Sequence, residues 1–268
     1  MDREVGSQSP WDRFDKANNV FEMRQHMKWL MPALLLGLMP LSGCDFQMEV
    51  GSGVSKSETR KLDDFQSVSL LGSGEFEIVL DNDHAVDLTF DDNLLPFVSC
   101  EVSGGQLTLK PDVGFNSSMG LSGTIHAKSV NKIKVTGSGE LKLNGFDGED
   151  LSISVTGSGD CKISGQVGTL TATVTGSGHI DTSELASQQV TVRIVGSGDV
   201  NVHADDSLKA SITGSGKIHY SGEAKVDKSV TGSGDVEKVA SKKKPSVPDT
   251  SQTDGESQTE TQETGDDQ

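Results

Sequence analysis

The amino-acid sequence has few aromatic and few basic side chains for its 268 residues. Aromatic residues make up 4% of the chain, with one Tyr and two Trp, so few rings are available to stack against sugars. Asp and Glu outnumber Lys and Arg by 40 to 23, which gives a formal net charge of -17. Because nucleic-acid phosphates need a basic surface, this balance argues against a nucleic-acid partner.

Long helices and membrane-spanning runs are also missing from the pattern. The chain contains 31 Gly, which interrupt nearly every potential long helix after residue 50. The apolar run Trp29–Leu41 is shorter than the roughly 20 residues that a helix needs to cross a bilayer. Because Arg24 and Lys28 precede this run and small residues follow it, the segment is typical of an export signal.

The export signal ends in Leu41-Ser42-Gly43-Cys44, which resembles the lipobox of bacterial lipoproteins. The resemblance implies cleavage between Gly43 and Cys44 and lipidation of the Cys44 thiol. Such a lipid would anchor the protein to a membrane without spanning it. Asp45 resembles a retention signal of Gram-negative lipoproteins and favours the inner membrane. The alternative is a buried helix that ends at a chance cysteine.

Two further cysteines, Cys100 and Cys161, follow the lipidation site. Export permits a disulfide, but their spacing does not imply one. Cys161 occupies a position that is otherwise apolar in the repeats described next. We therefore interpret it as a small buried hydrophobic residue.

The strongest signal in the sequence is a repeat marked by the triplet Gly-Ser-Gly. The triplet begins at Gly51, Gly72, Gly137, Gly157, Gly176, Gly196, Gly214 and Gly232. From Gly137 onward its steps are 20, 19, 20, 18 and 18 residues. Apolar and polar residues alternate on both sides of each triplet, which predicts half-buried strands. The column two residues before the triplet reads Val135, Val155, Val174, Ile194, Ile212 and Val230.

This pattern predicts an all-β fold, a right-handed parallel β-helix or solenoid with rungs of 18–20 residues. Each rung contains a strand, a Gly-Ser-Gly corner, a second strand and a looser return. Glycine suits the corner because it tolerates positive φ and close approach of neighbouring backbones. Equivalent residues then stack about 4.8 Å apart, and the inward ones form a narrow continuous core.

The same pattern divides the chain into successive parts. We interpret residues 1–22 as a mis-assigned start, 23–43 as a lipoprotein signal peptide, 44–59 as a flexible tether, 60–130 as an N-terminal β cap, 131–240 as the solenoid repeats and 241–268 as a disordered acidic tail. Translation is then expected to begin at Met23 or Met27. Lys228 and Lys238 stand in otherwise apolar columns, which predicts a polar last rung.

Over about residues 60–238 the chain resembles the putative auto-transporter adhesin head GIN domain family. The resemblance rests on the segments Arg60–Phe65, Leu71–Ile78, Asp91–Pro96 and Gly104–Leu107 and on the serial Gly-Ser-Gly-Asp/Glu rungs. It implies a β-helical fold and an exported, often lipid-anchored protein, and the family name implies adhesion. It carries no catalytic or ligand-binding residues to this chain.

Two outward columns are candidate binding surfaces. The third residue past each first glycine is Glu140, Asp160, His179, Asp199, Lys217 or Asp235. Carboxylates could bind calcium, but His179 and Lys217 interrupt the column, so we interpret it as solvated and predict no metal or cofactor. The residue before each triplet is Thr136, Thr156, Thr175, Val195, Thr213 or Thr231. This Thr column either offers a flat surface to a glycan or reflects the strand preference of Thr.

Catalysis finds little support in the sequence. None of the six His has the spacing of metal ligands, and neither a Gly-x-Ser-x-Gly elbow nor a phosphate loop is present. The pairs Asp91-Asp92 and Asp205-Asp206 could serve a polysaccharide-cleaving enzyme, but paired acids are common turn formers.

We therefore expect a non-enzymatic, lipid-anchored cell-envelope protein that faces the periplasm or exterior and uses its repetitive surface for adhesion or interaction. Its expected partners are the membrane, through lipid on Cys44, and a glycan or an envelope protein. A homo-oligomer is compatible with the fold because solenoid ends often pair. One alternative is a structural or sensory lipoprotein with a single dedicated protein partner, and a polysaccharide-degrading enzyme is less favoured.

Overall fold

The computed structural model describes residues 48–240. Gly43, Cys44 and Asp45, the signal peptide and the acidic tail predicted from sequence lie outside the described residues. The described chain forms strands and a short 3-10 helix, Leu95–Phe97. Among its residues no helix is long and apolar enough to cross a bilayer.

The strands fall into two groups along the chain. The first group is β1 (Met48–Val50), β2 (Ser55–Lys61), β3 (Ser67–Gly72), β4 (Glu75–Leu80), β5 (Ala85–Asp91), β6 (Val98–Ser103), β7 (Gln106–Pro111), β8 (Gly114–Asn116) and β9 (Ser122–Ala127). The second group is β10 (Lys132–Gly137), β11 (Glu140–Gly157), β12 (Asp160–Gly176), β13 (His179–Gly196), β14 (Asp199–Gly214), β15 (Lys217–Ser221), β16 (Lys225–Gly232) and β17 (Asp235–Lys238).

Strands β10–β17 stack in parallel as the turns of a β-solenoid of about five turns, which confirms the predicted fold class. Each long strand runs from one Gly-Ser-Gly corner to the next, so a turn is one bent strand. The register aligns equivalent residues, for example Val135 with Val155 and Val155 with Val174. Register shifts, such as the one between Leu143 and Phe146, mark where the strand bends.

Both glycines of each corner are required by the stacking. Gly157 has φ of 111°, and a Cβ there would lie 2.6 Å from the carbonyl oxygen of Gly137 in the turn before. A Cβ on Gly159 would lie 2.7 Å from Cγ1 of Val135. Ser158 between them is exposed, and its amide donates to the Gly137 carbonyl at 2.9 Å. The corners therefore continue the hydrogen-bonded ladder from turn to turn.

The inward columns form one continuous apolar core. Cys161 belongs to it, since it stacks between Leu141 and Ile180 and is buried. Burial raises the pKa of its thiol to about 12. Cys100 and Cys161 are both free cysteines. The structure thus bears out the interpretation of Cys161 as a small hydrophobic residue.

The N-terminal end of the solenoid is extended by other strands. The corner at Gly72 stacks on the corner at Gly137, and Glu75 pairs with Glu140, so β3 and β4 form part of the stack. Beyond β3 the sheet continues through β7 and β6, and beyond β4 through β9, β5 and β2. The sequence between β4 and β10 is therefore an insertion that covers the first turn.

The C-terminal end is open within the described chain. Among residues 48–240, strand β16 pairs only with β14, and β17 only with β15. Every residue of β16 is exposed, including Val226 and Val230 in columns that are apolar in earlier turns. Lys228 pairs with the buried Ala210, and Lys238 with Tyr220, as expected for a polar last rung.

Candidate binding surface

The solenoid presents three outward faces, which we define by their position relative to the corner. The pre-corner face comprises residues 67–71, 132–136, 152–156, 171–175, 191–195, 209–213 and 227–231. The post-corner face comprises residues 75–78, 140–143, 160–163, 179–182, 199–202, 217–220 and 235–238. The return face comprises residues 144–150, 164–169, 183–189, 203–207 and 221–224.

Hydroxyl groups dominate the pre-corner face. Of its 21 outward positions, three on each of seven strands, 14 carry Ser or Thr. They are Ser67, Ser69, Thr136, Ser152, Ser154, Thr156, Thr171, Thr173, Thr175, Thr191, Ser211, Thr213, Ser229 and Thr231. Strands β11 and β12 have hydroxyls at all their outward positions on this face.

The accessible part of this hydroxyl array begins at β11. Ser69 is buried, and Oγ1 of Thr136 is buried without a hydrogen-bond partner in the described chain. Further along, Thr156, Thr175 and Thr213 are exposed. The hydroxyls that bond within the protein lie elsewhere, as in Thr182 to the Asn201 carbonyl. The exposed hydroxyls therefore face solvent and remain available to a ligand.

The charged residues of the pre-corner face are mostly basic. At its outward positions they are Lys132, Lys134, Arg193, Lys209 and Asp227. None of the four bases takes part in the salt bridges found within residues 48–240. A chain of net charge -17 thus carries one face with an excess of positive charge.

The return face has the opposite character. Its charged residues are Asp147, Glu149, Asp150, Glu184, Asp205, Asp206 and Glu223, and it has no Lys or Arg. The Asp205-Asp206 pair, which the sequence suggested as candidate residues of a polysaccharide-cleaving enzyme, lies on this face and is exposed beside other acids. Charge is therefore segregated around the solenoid, with acids on the return face and bases on the pre-corner face.

The post-corner face mixes both signs. Its column of acids stacks as the spacing predicts, with Glu140 on Asp160, Asp160 on His179 and His179 on Asp199. Nζ of Lys142 lies 2.7 Å from Oε1 of Glu140, and this hydrogen bond raises the pKa of Lys142. Among residues 48–240 no group of three or more His, Cys, Asp or Glu is placed to hold a metal ion.

A histidine of the N-terminal region links β9 to β5 and to the bend that follows β4. Nδ1 of His126 on β9 lies 2.6 Å from Oδ2 of Asp81, and its Nε2 lies 3.3 Å from Oδ2 of Asp87 on β5. The hydrogen bond to Asp81 is the main cause that raises the pKa of His126. A depression of about 420 Å³ adjoins this cluster. The carboxylates occupy opposite ring nitrogens, so they clamp the ring and do not converge on a ligand.

A second histidine contacts a serine and a carboxylate. Nδ1 of His203 lies 2.8 Å from Oγ of Ser221, and its Nε2 lies 3.1 Å from Oδ1 of Asp205. This grouping has the residue types of a hydrolase triad. However, Ser221 is only 3% exposed, so a substrate carbonyl cannot reach its hydroxyl. The contacts satisfy the hydrogen bonding of a buried serine.

Sequence reasoning found the Thr column of the pre-corner face but missed its charge. The structure stacks Thr156 on Thr175 and Thr213 on Thr231, as the spacing predicts. The bases stand three and five residues before the corner glycine, on the same face as the Thr column. Reading these two offsets alongside the Thr offset would have identified them, because side chains alternate along a strand.

A family model described as "Putative auto-transporter adhesin, head GIN domain" matches residues 64–224. A search of curated proteins found no match. Among solved structures, a putative adhesin from Bacteroides fragilis superposes with a TM-score of 0.60 at 20% identity, covering 71% of this chain and 99% of that one. At this identity the likeness concerns the fold.

Two further solved structures superpose with lower TM-scores. One is described as a putative lipid binding protein from Parabacteroides distasonis, with a TM-score of 0.47 and 24% identity over 72% of this chain and 100% of that one. The other is a putative adhesin from Parabacteroides merdae, with a TM-score of 0.48 and 22% identity over 72% of this chain and 99% of that one.

Proposed function

The chain belongs to the family described as "Putative auto-transporter adhesin, head GIN domain", and on that premise we propose that it is a non-enzymatic, adhesin-like protein of the cell envelope. Its pre-corner face is the proposed contact surface. The observation that carries this proposal is the array of exposed Ser and Thr side chains repeated from turn to turn on one parallel sheet.

A regular sheet favours contact with an extended or repetitive partner. Each turn adds about 4.8 Å and presents similar groups in register. A polymer or a surface with its own repeat would therefore meet the same chemistry at successive turns. Because ladder hydrogen bonds on both sides already fix the backbone of this face, binding should cost the protein little conformational entropy.

We also propose that lipid on Cys44 anchors the protein to the envelope. Residues 44–47 then connect the lipid to β1, which begins at Met48. Asp45 favours the inner membrane. The test is mass spectrometry of the amino terminus together with cell fractionation of a Cys44→Ser variant. Cleavage before Cys44, a lipid mass and release of the variant from membranes are expected. A membrane-bound variant without lipid would contradict the proposal.

Binding to isolated envelope material tests the adhesive role. The full-length chain should bind a bacterial envelope fraction saturably, and the triple variant Thr156→Tyr, Thr175→Tyr, Thr213→Tyr should lose most of that binding. Tyr suits exposed strand positions, so the fold should persist.

A matched variant controls for bulk added to the surface. Thr169, Gln189 and Ser207 are exposed on the return face, and the ladder places each beside the next. Their replacement by Tyr should leave envelope binding unchanged. Absence of saturable binding by the unmodified chain, or equal loss in both variants, would contradict the proposed role of the pre-corner face.

A further inference from the structure

The bases of the pre-corner face lie on two sides of a field of hydroxyls. Lys132 and Lys134 stand on β10, and Arg193 and Lys209 stand on β13 and β14. Between them, β11 and β12 present only hydroxyls: Ser152, Ser154, Thr156, Thr171, Thr173 and Thr175. Lys134 and Arg193 occupy the same column three turns apart, which corresponds to about 14 Å.

This arrangement has the chemistry of a receptor for an anionic sugar polymer. Ser and Thr hydroxyls both donate and accept hydrogen bonds, as sugar hydroxyls do. Lys and Arg form charge-assisted bonds with carboxylate or sulfate groups. Because the four bases have no salt-bridge partner within residues 48–240, an anion would not have to displace an internal one.

The charge of the other faces and the few apolar side chains of the pre-corner face indicate which kind of partner fits. The acidic return face would repel a polyanion, and on the post-corner face acids outnumber Lys by eight to four, so the pre-corner face suits a polyanion best. Insertion into a lipid surface needs large apolar or aromatic side chains. The outward positions of the pre-corner face carry only Leu71 and Val195 of that kind, and both are half-buried. The face therefore fits a hydrated polymer better than a membrane.

We propose that the pre-corner face binds an acidic polysaccharide. Its negative groups contact the bases on β10, β13 and β14, and its hydroxyls lie over β11 and β12. This inference rests on the proposed adhesive function and specifies its ligand class. Since the attraction is electrostatic, binding should weaken as salt concentration rises.

Binding of the full-length chain to defined polymers tests the inference. The probes are polygalacturonate for carboxylates, dextran sulfate for sulfates, neutral dextran, and vesicles of phosphatidylglycerol for an anionic membrane. At least one acidic polymer should bind saturably and more tightly than neutral dextran. The variant Lys132→Glu, Lys134→Glu, Lys209→Glu should bind it at least tenfold more weakly.

A control variant makes the same charge change on another face. Lys142, Lys162 and Lys217 are exposed on the post-corner face, so their replacement by Glu alters net charge equally. This variant should bind the acidic polymer within about twofold of the unmodified chain. Equal weakening of both variants would overturn the inference, because only net charge would then matter.

The remaining outcomes separate this inference from the function on which it rests. Failure of both acidic polymers to bind, equal binding of neutral dextran, or preference for the vesicles would each overturn the inference. If envelope material still binds and the Lys132, Lys134 and Lys209 variant retains that binding, the adhesive function stands without an acidic ligand. If the unmodified chain binds no envelope material, the proposed function itself fails.

Discussion

At its N-terminal end the solenoid is extended by additional strands that cover its first turn, whereas at its C-terminal end the last turn has an uncovered edge within the described chain. Strands β7 and β6 continue the sheet on one side of the first turn, and β9, β5 and β2 on the other. Side-chain contacts lock this region. Arg60, for example, donates to the carbonyls of Leu95 and Val98.

Lysine side chains protect the C-terminal end, whereas additional strands cover the N-terminal end. Lys228 continues a column that is apolar in the preceding turns, and Lys238 continues one that is apolar apart from Thr182. A lysine at an inward position discourages another strand from adding to an open edge. A solenoid can therefore end either by covering its core with an insertion or by making its last core layer polar.

Truncation of a core side chain should destabilise the protein far more at the buried N-terminal end of the solenoid than at its exposed C-terminal end. Leu70 and Val230 stand in the same column, but Leu70 is 1% exposed and Val230 is 39% exposed. Leu70→Ala should lower the free energy of unfolding by about 2–5 kcal/mol. Val230→Ala should change it by about 0.5 kcal/mol or less. Urea denaturation measures both values. Similar losses would mean that the last turn is as well packed as the first.

A smaller effect is expected at the corners. Gly157→Ala forces a side chain against the Gly137 carbonyl at φ of 111°, with turns stacked on both sides. It should cost about 1–3 kcal/mol. Gly232→Ala meets a similar clash with Gly214 but should cost less, because the terminal turn is free to shift. Thermal unfolding checks this order, and Ser158→Ala, at an exposed corner position, is the neutral control.

Replacing the lysines of the C-terminal columns by apolar residues should make the protein self-associate through its last turn. The double variant Lys228→Val, Lys238→Leu extends the apolar columns to the open edge. It should associate at concentrations where the unmodified chain does not, which sedimentation velocity would detect. The control is Lys225→Val, which replaces an exposed lysine outside the apolar columns. No change in sedimentation would show that these lysines do not protect the edge.

The smallest effect concerns pH and the N-terminal clamp. The hydrogen bond between His126 and Asp81 raises the pKa of His126 and lowers the pKa of Asp81. The pKa of Asp87 is lowered first by a hydrogen bond from Thr59 and second by one from His126. Because the pKa of His126 is raised by folding, protonated His126 stabilises the folded state below about pH 6.5. This stabilisation is lost as the pH rises through the raised pKa. The lowered pKa values add stability above about pH 4, which is lost on further acidification.

A His126→Asn variant isolates this contribution. Its urea midpoint should fall below that of the unmodified chain at about pH 5.5, and the gap should shrink at about pH 8.5. The effect should be modest because the clamp is partly open to solvent. An equal gap at both pH values would mean that the proton on His126 does not contribute.

The sequence was sufficient to predict the solenoid because its repeat is explicit. The Gly-Ser-Gly spacing and the alternation around it identify strands, corners and ladders, including the inward place of Cys161. It did not predict that the corner at Gly72 stacks on that at Gly137, because the insertion between them hides the period. Contacts such as Arg60 with Leu95 also depend on tertiary packing that no local pattern encodes.

The candidate surface was predicted only in part, for a related reason. The Thr column is visible because one residue type recurs at one offset. Lys134 and Arg193 share one offset but stand three turns apart, and Lys209 stands at another offset, so no single recurring residue type marks these bases along the sequence. Segregation of charge is a property of the assembled sheet.

The shared register of the turns has a consequence for the history of the chain. Because Gly157 stacks on Gly176 as Gly137 stacks on Gly157, a gene segment that encodes one corner-to-corner unit can be duplicated or lost without disturbing the pairing of its neighbours. Each such event would lengthen or shorten the protein by about 4.8 Å. The length of the solenoid can thus evolve by copy number, while the covered first turn and the lysine-bearing last turn stay fixed.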